Sequence, residues 1–248
     1  MKILNELSLK FRRNDKTIFF GLADEDDELN QMFKLRYEVY NNLKYLNPEL
    51  NLTSDKDFYD AENKCHYFIA KIDGKIIGTA RLIQDDFLPA EKTCFKFPEP
   101  FEIKKIPRSQ RAEIGRLIVV FLDKGSYLPR NLVTLFLIKS LLDFSGSQNI
   151  LGGYSFITSN LYNKLSKLRV PFYLIEKYVQ IYPREGILYP YFNQKSNPII
   201  PIYFLCKDIS QYIDGIINRE KMFIKISEKK FILRVNIYNK FLKILGIF

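Results

Sequence analysis

The chain reads as an α/β protein, a mixed central sheet with helices on both faces. Three observations carry this. Apolar, strand-like runs recur from residue 17 to residue 206. Helical periodicities long enough to cross a sheet separate the middle runs. One pair of runs, His66–Ile72 and Lys75–Ile83, is joined by Asp73-Gly74, a hairpin turn signal, so the sheet has antiparallel as well as parallel neighbours.

The elements follow in order. Thr17–Leu22 reads as a first strand. The acidic run at residues 24–28 then leads into Leu29, Met32, Phe33, Arg36, Val39, Tyr40 and Leu43, one face of an amphipathic helix whose opening acids suit its dipole. Residues 44–64 are polar and carry Pro48, which makes them a loop with room for a helical turn. The hairpin comes next. Residues 85–110 hold Pro89, Pro98, Pro100 and Pro107, a long connection. Glu113–Phe121 is a strong strand, and Pro129 suits the first turn of a helix reaching Phe144. Gly152–Ile157 is a strand, Asn160–Leu168 a helix, and Phe172–Ile181 and Pro201–Cys206 two more strands. The expected domains are 1–206 and a basic C-terminal extension, 207–248. The extension ends in an amphipathic helix that packs on the domain, touches an anionic membrane surface or contacts a partner.

Composition narrows the function. A 248-residue chain that is 47% hydrophobic can bury a large core. A net charge of +10 favours an acidic partner, but no basic stripe or nucleic-acid-binding motif is present, so nucleic acid is not expected. Cys65, Cys94 and Cys206 form no CxxC pair, and His66 is the single histidine, so no metal site is expected. No apolar run is long enough for a signal peptide or a membrane span, which makes the cytoplasm the expected compartment, with peripheral contact at the inner face of the membrane through the basic tail.

The features that point to chemistry are seven charged residues at the edges of apolar segments: Arg36, Asp55, Asp57, Asp60, Arg81, Glu113 and Arg116. A charge in an apolar strand is costly unless it is paired or opens onto a cleft. If the segments converge, three arginines and four carboxylates can satisfy one another. The plain structural alternative is an ion-pair network that fixes the 44–64 loop.

Those residues resemble a family. Arg36 in Arg36-Tyr-Glu-Val-Tyr40, the Asp55-Lys-Asp57-Phe-Tyr-Asp60 run, Arg81 in Gly78-Thr-Ala-Arg81-Leu-Ile83 and the Glu113-x-x-Arg116 pair follow the order of the acyl-homoserine-lactone synthases and N-acyl amino acid synthases of the GNAT superfamily. The likeness runs over residues 17–120, and Asp55 stands where the family usually has Glu. The resemblance implies a GNAT-like fold and an N-acyltransferase. It makes Glu113 the first candidate to take a proton from the amine, directly or through a water, and Asp55 the second. Backbone N–H groups at Leu117, Ile118 and Val119 would stabilise the oxyanion. Arg36, Arg81 and Arg116, with Asp57 and Asp60, would hold a substrate carboxylate or orient the carboxylates.

Residues 121–131 carry a single glycine, a poor match to the glycine-rich loop that binds the CoA pyrophosphate. The resemblance then implies an acyl carrier protein thioester as donor, with acyl-CoA as the alternative and no bound cofactor, and an acidic carrier protein suits a basic enzyme. The lactone synthases carry tryptophans near their S-adenosylmethionine site and this chain has no Trp, which favours an amino acid or similar small amine as acceptor over S-adenosylmethionine. Aromatic residues at 133–142 and 154–175 are either ordinary core, the favoured reading, or the lining of an acyl tunnel. A non-enzymatic module that binds an acyl chain or a carrier protein is the competing class.

Overall fold

A computed structural model describes residues 1–9, 15–62, 64–120, 130–219 and 223–233. The chain opens with an antiparallel pair, β1 (Lys2–Leu9) and β2 (Lys16–Leu22), followed by α1 (Asp26–Asn42) and the short α2 (Phe58–Ala61). The expected hairpin is β3 (Cys65–Ile72) and β4 (Lys75–Ile83), and Asp73 and Gly74 both take positive φ in its turn. The proline-rich connection holds β5 (Phe95–Lys96) and α3 (Phe101–Lys104). Then come β6 (Arg111–Val119), α4 (Arg130–Ser147), β7 (Gly152–Thr158), α5 (Ser159–Lys167), β8 (Phe172–Leu174) and β9 (Val179–Gln180). The rest is α6 (Tyr189–Phe192), β10 (Ile199–Leu205), α7 (Cys206–Arg219), β11 (Phe223–Lys225) and β12 (Lys230–Leu233).

Among the described residues, ten strands form one sheet in the order β11-β12-β1-β2-β3-β4-β6-β7-β10-β8, and β5 pairs with β9 apart from it. The sheet is covered on both faces, the mixed α/β architecture expected. Strand alternation shows how. Phe68, Ala70, Ile72 and Ile77 join Val133, Phe136 and Leu137 of α4 and Ile213 of α7 in the main core. The residues between them, Ile69 and Ile76, pack with Met32 and Phe33 of α1 on the other face. The buried face of α4 therefore carries ordinary core apolar residues, as favoured for the 133–142 stretch.

Several elements differ from expectation. β1 precedes the first expected strand. Phe172–Ile181 is not one strand: β8 pairs with β10, whereas β9 leaves the sheet to pair with β5. Residues 207–219 are helical, but β11 and β12 then add to the sheet edge, β12 running parallel to β1. The amphipathic end of the chain, the CoA-loop stretch up to residue 129 and Phe121 of the expected strand lie outside the described residues. Among the described residues no helix is long and apolar enough to cross a membrane.

Two irregularities position the site. β6 and β7 run parallel only from Arg111↔Gly152 to Ile114↔Ser155, although both continue for several residues, so the strands part beyond that point. On the other side of β6, the register with β4 slips between Arg81↔Gly115 and Thr79↔Ile118, and Arg116 has φ +53°. This is a β-bulge, with two residues of β6 opposite one of β4. A strand of period two would send Glu113 and Arg116 to opposite faces. The extra residue returns Arg116 to the α1 face, which Glu113 and Arg81 share because their pairs, Ile83↔Glu113 and Arg81↔Gly115, are two apart in the register.

Candidate active site

Six of the seven charged residues form one network under α1. Arg36, one turn beyond Met32 on the inner face of α1, is fully buried. Its Nε donates to Asp55 Oδ2 at 2.8 Å, and its Nη2 lies 2.8 Å from the same oxygen and 3.4 Å from Asp60 Oδ2. Arg81 Nη1 lies 2.8 Å from Asp57 Oδ1 and 2.9 Å from Asp60 Oδ1. Arg116 bridges Asp57 Oδ2 at 3.2 Å and Asp55 Oδ2 at 3.3 Å, with its guanidinium over the Tyr40 ring. The aspartate spacing has a local cause. Asp57 caps α2 by accepting from the Tyr59 and Asp60 amides, and Asp60 accepts from the Asp57 amide, so the two form a capping box. Tyr67 on β3 donates its hydroxyl to Asp60 at 2.9 Å.

The network holds its charges in place. Burial raises the Asp60 pKa, but Arg81 and Arg36 outweigh it and keep the carboxylate well below the usual range. Three arginines face three aspartates, and each guanidinium is paired. Asp57 is the most open of the three acids, with 22% of its side chain exposed, whereas Asp55 and Asp60 are closed off.

Glu113 stands apart. Among the described residues it makes no ion pair. Its Oε2 accepts one hydrogen bond, 2.6 Å from the Ala90 amide, at the π-helical turn Ala90–Cys94. Thr93 ties that turn back by donating its hydroxyl to the Pro89 carbonyl. The Glu113 residue is 1% exposed. Burial raises its pKa to about 8, against the lowering pull of the Ala90 amide, Arg81 and Arg116. A carboxyl tuned to that range exchanges a proton near neutral pH, as a general base for an ammonium group must.

The remaining sequence candidates fall as follows. Leu117, Ile118 and Val119 occupy the part of β6 beyond its pairing with β7, and Leu117 is partly exposed. Cys94 is buried close enough to feel the Glu113 charge, and burial drives its thiol pKa well above the ordinary value, which leaves it a poor nucleophile. His66 packs its ring on Phe144 of α4, on the face away from the aspartates, and burial lowers its pKa. The acidic run before α1 gives no side-chain cap. Instead Asp24 and Glu28 approach the Met1 ammonium group at 2.5 and 2.9 Å, and Glu28 also binds Lys71.

Three partners were missed in the sequence: the Ala90 amide, Tyr67 and Tyr40. A backbone amide carries no residue signal. Tyr40 had one, since it stands four residues after Arg36 on α1. Beside the site lies an aromatic cluster drawn from both halves of the chain. Phe95, Phe156, Tyr178 and Phe192 pack around Cys94, Leu188 and Ile199, and Tyr37 and Tyr40 of α1 close it.

The family model described as FeeM, N-acyl amino acid synthase, matches residues 31–134, the stretch that holds all seven charged residues. No curated protein matches the chain at the sequence level. Among solved structures, the AHL synthase LasI is 20% identical with a TM-score of 0.53, over 76% of this chain and 89% of its own. MesI, a CoA-dependent acyl-homoserine lactone synthase, is 19% identical with a TM-score of 0.54, over 79% and 94%. FeeM, an N-acyl amino acid synthase from uncultured soil microbes, is 11% identical with a TM-score of 0.53, over 79% and 94%. These structures share the fold, and the family match marks the chain as an acyltransferase whose acceptor is an amine.

Proposed function

We propose that this acyltransferase takes a fatty acyl group from an acyl carrier protein thioester and transfers it to the amine of an amino acid. The observation that carries the reading is a parted strand pair with a buried carboxyl of raised pKa beside it. The thioester enters where β6 and β7 separate. Val120 donates its amide to Ile77 on β4, so alternation turns the Val119 amide the other way, toward the gap. That amide supports the oxyanion role, whereas Ile118 is buried and the same alternation turns its amide toward β4.

Glu113 takes a proton from the substrate ammonium group, directly or through one water. The freed amine attacks the thioester carbonyl, a C–N bond forms, the C–S bond breaks, and the pantetheine sulfur leaves as a thiol. Asp55 is sealed between Arg36 and Arg116, which favours Glu113 over it as the base. The arginines and aspartates position the bulge and the α2 turn around the reacting groups.

The donor rests on other grounds. MesI, which shares the fold, is CoA-dependent, so the fold alone does not select the donor. A carrier protein is favoured by the +10 net charge and by the single glycine of residues 121–131. The deciding experiment supplies purified protein with long-chain acyl carrier protein or acyl-CoA, and with amino acids plus S-adenosylmethionine as acceptors. Mass spectrometry should find an N-acyl amino acid with the carrier-protein donor. A lactone, or product from acyl-CoA alone, would replace the acceptor or the donor in this reading. No product from any pair would leave an amine outside that pool or the non-enzymatic binding module, and a carrier-protein binding assay would come next.

A further inference from the structure

Glu113 holds one hydrogen bond, from the Ala90 amide to Oε2, and among the described residues nothing donates to Oε1. A buried carboxyl group ionises more readily as it gains donors. The second donor is not an arginine, since all three guanidinium groups bind Asp55, Asp57 or Asp60.

Tyr59 is placed to supply it. Two aromatic neighbours open α2 and face opposite ways: Phe58 is 57% exposed and Tyr59 only 6%. Phe58 shows what α2 packs beside. Its ring lies 5.9 Å from Lys64 Nζ, just before β3, and 6.0 Å from Lys92 Nζ, in the π-helical turn Ala90–Cys94. The first amide of that turn is the one that holds Glu113. The Tyr59 ring, 5.5 Å from that of Phe58 and turned inward, therefore lies under α2, between the head of β3 and this turn.

The sheet fixes the other side. The Tyr59 carbonyl accepts from the Lys64 amide, next to Cys65. Cys65, Ile83 and Glu113 stand directly opposite one another on β3, β4 and β6, one row on the α1 face. Two strand spacings, about 10 Å, separate the ends of the row, and Ile83 between them is fully buried. The surrounding charges agree with this placement. Burial raises the pKa of the Tyr59 phenol, and among the charges that add to it Glu113 acts most strongly, ahead of Asp85, Cys94 and Asp57.

The hydroxyl makes no hydrogen bond among the described residues, whereas Tyr67, on the same face, donates to Asp60. Burying a hydroxyl without a partner is costly. The groups that act on Glu113 or feel its charge are the Ala90 amide, Arg81, Asp57, Arg116, Cys94 and Tyr59. The Cys94 thiol is a weak donor and already lies against the Thr93 hydroxyl. Tyr59 is the neutral donor left for the anion that forms when Glu113 ionises.

We infer that Tyr59 is a positioning residue for the base: when Glu113 ionises, the Tyr59 hydroxyl donates to Oε1 and fixes the carboxylate for the acceptor amine. The inference rests on the acyltransferase reading above and adds the group that helps its base to ionise.

Tyr59→Phe keeps the ring and removes the donor. The rising limb of kcat/KM with pH should move up by about one pH unit, so kcat/KM falls about ten-fold below the limb and meets wild type above it. Replacing Tyr59 by 3-fluorotyrosine, a more acidic donor of nearly the same size, should move the limb down. A parallel loss at every pH, or a lowered melting temperature with the limb in place, would overturn the inference in favour of a structural role. A second measurement needs no substrate. The infrared carboxyl band that Glu113→Gln lacks should titrate at higher pH in Tyr59→Phe than in wild type. If that band stays where wild type has it, the inference is overturned, and the acyltransferase reading stands on wild-type activity. If wild type transfers to no amine, that reading falls, and the band alone decides for or against the bond between Tyr59 and Glu113.

Discussion

Glu113 and Arg116 sit three residues apart on one strand and face the same side of the sheet, yet they belong to opposite electrostatic regimes. Around Arg116, three guanidinium groups interlock with three aspartates, and Asp60 is held ionised far below the usual carboxylate range. Around Glu113 there is one backbone amide and otherwise burial, and its pKa rises to about 8. Carboxyl groups whose environments push their pKa values apart divide the labour of a site. The aspartates are charges that hold shape, and Glu113 is a proton that moves.

The comparison can be broken at its strongest point first. Glu113→Gln keeps the shape and the Ala90 contact geometry but removes the exchangeable proton. It should lower kcat by about 10²–10⁴-fold with no loss of thermal stability, and turnover near wild type in a direct product assay would remove Glu113 from the chemistry. On the other side, Arg36→Met leaves Asp55 buried beside one weaker partner and should destabilise the fold by about 3–5 kcal/mol in chemical denaturation. Adding Asp55→Asn should recover part of that loss, and if the two losses simply add, the network is not coupled.

The pH dependence of stability tests both regions at once. Glu113 has a raised pKa, so its contribution is fully present below about pH 4.5 and is lost as pH rises through about 8. Asp60 has a lowered pKa, so its contribution is present above its unfolded value and is lost as pH falls toward its folded one. Melting temperature should peak at mildly acid pH, and Glu113→Gln should flatten only the alkaline side. Wild-type kcat/KM should instead rise with pH through about 8, since the base must be ionised. An alkaline melting limb that persists in Glu113→Gln would assign that titration to another group. The smallest effect is expected from Tyr67→Phe, which removes one hydroxyl donor from Asp60. It should cost about 1–2 kcal/mol of stability and leave kcat nearly unchanged, whereas a large kcat loss would tie the network directly to the reaction.

Local patterns in the sequence were the most legible. Apolar spacing from Leu29 to Leu43 gave α1, and Asp73-Gly74 gave the hairpin, because both signals lie within a few residues. The charged set was legible as a set, since each member interrupts an apolar run, and its convergence follows from the cost of burying lone charges. The structure separates Glu113 from that set through the Ala90 amide, which no side chain announces. The bulge was equally silent, because strand alternation alone sends Glu113 and Arg116 to opposite faces. β1 escaped notice because Asn5, Glu6 and Ser8 look like surface, although Asn5 is fully buried and bonded to Ser140 and Asp143 of α4. β12 escaped because its partner lies almost the whole described chain away.

That last pairing has a consequence for how the molecule comes into being. β2 follows β1 at once, so the two can zip together while the later strands are still being synthesised. The other edge of β1 must stay bare until β12 emerges, with a row of backbone donors and acceptors open to any passing strand. Contacts between such distant segments form slowly. The interval of greatest aggregation risk for a nascent chain therefore lasts until Lys230–Leu233 reaches Glu6–Leu9, and slowing synthesis between residues 206 and 233 should lower the soluble yield more than slowing it earlier.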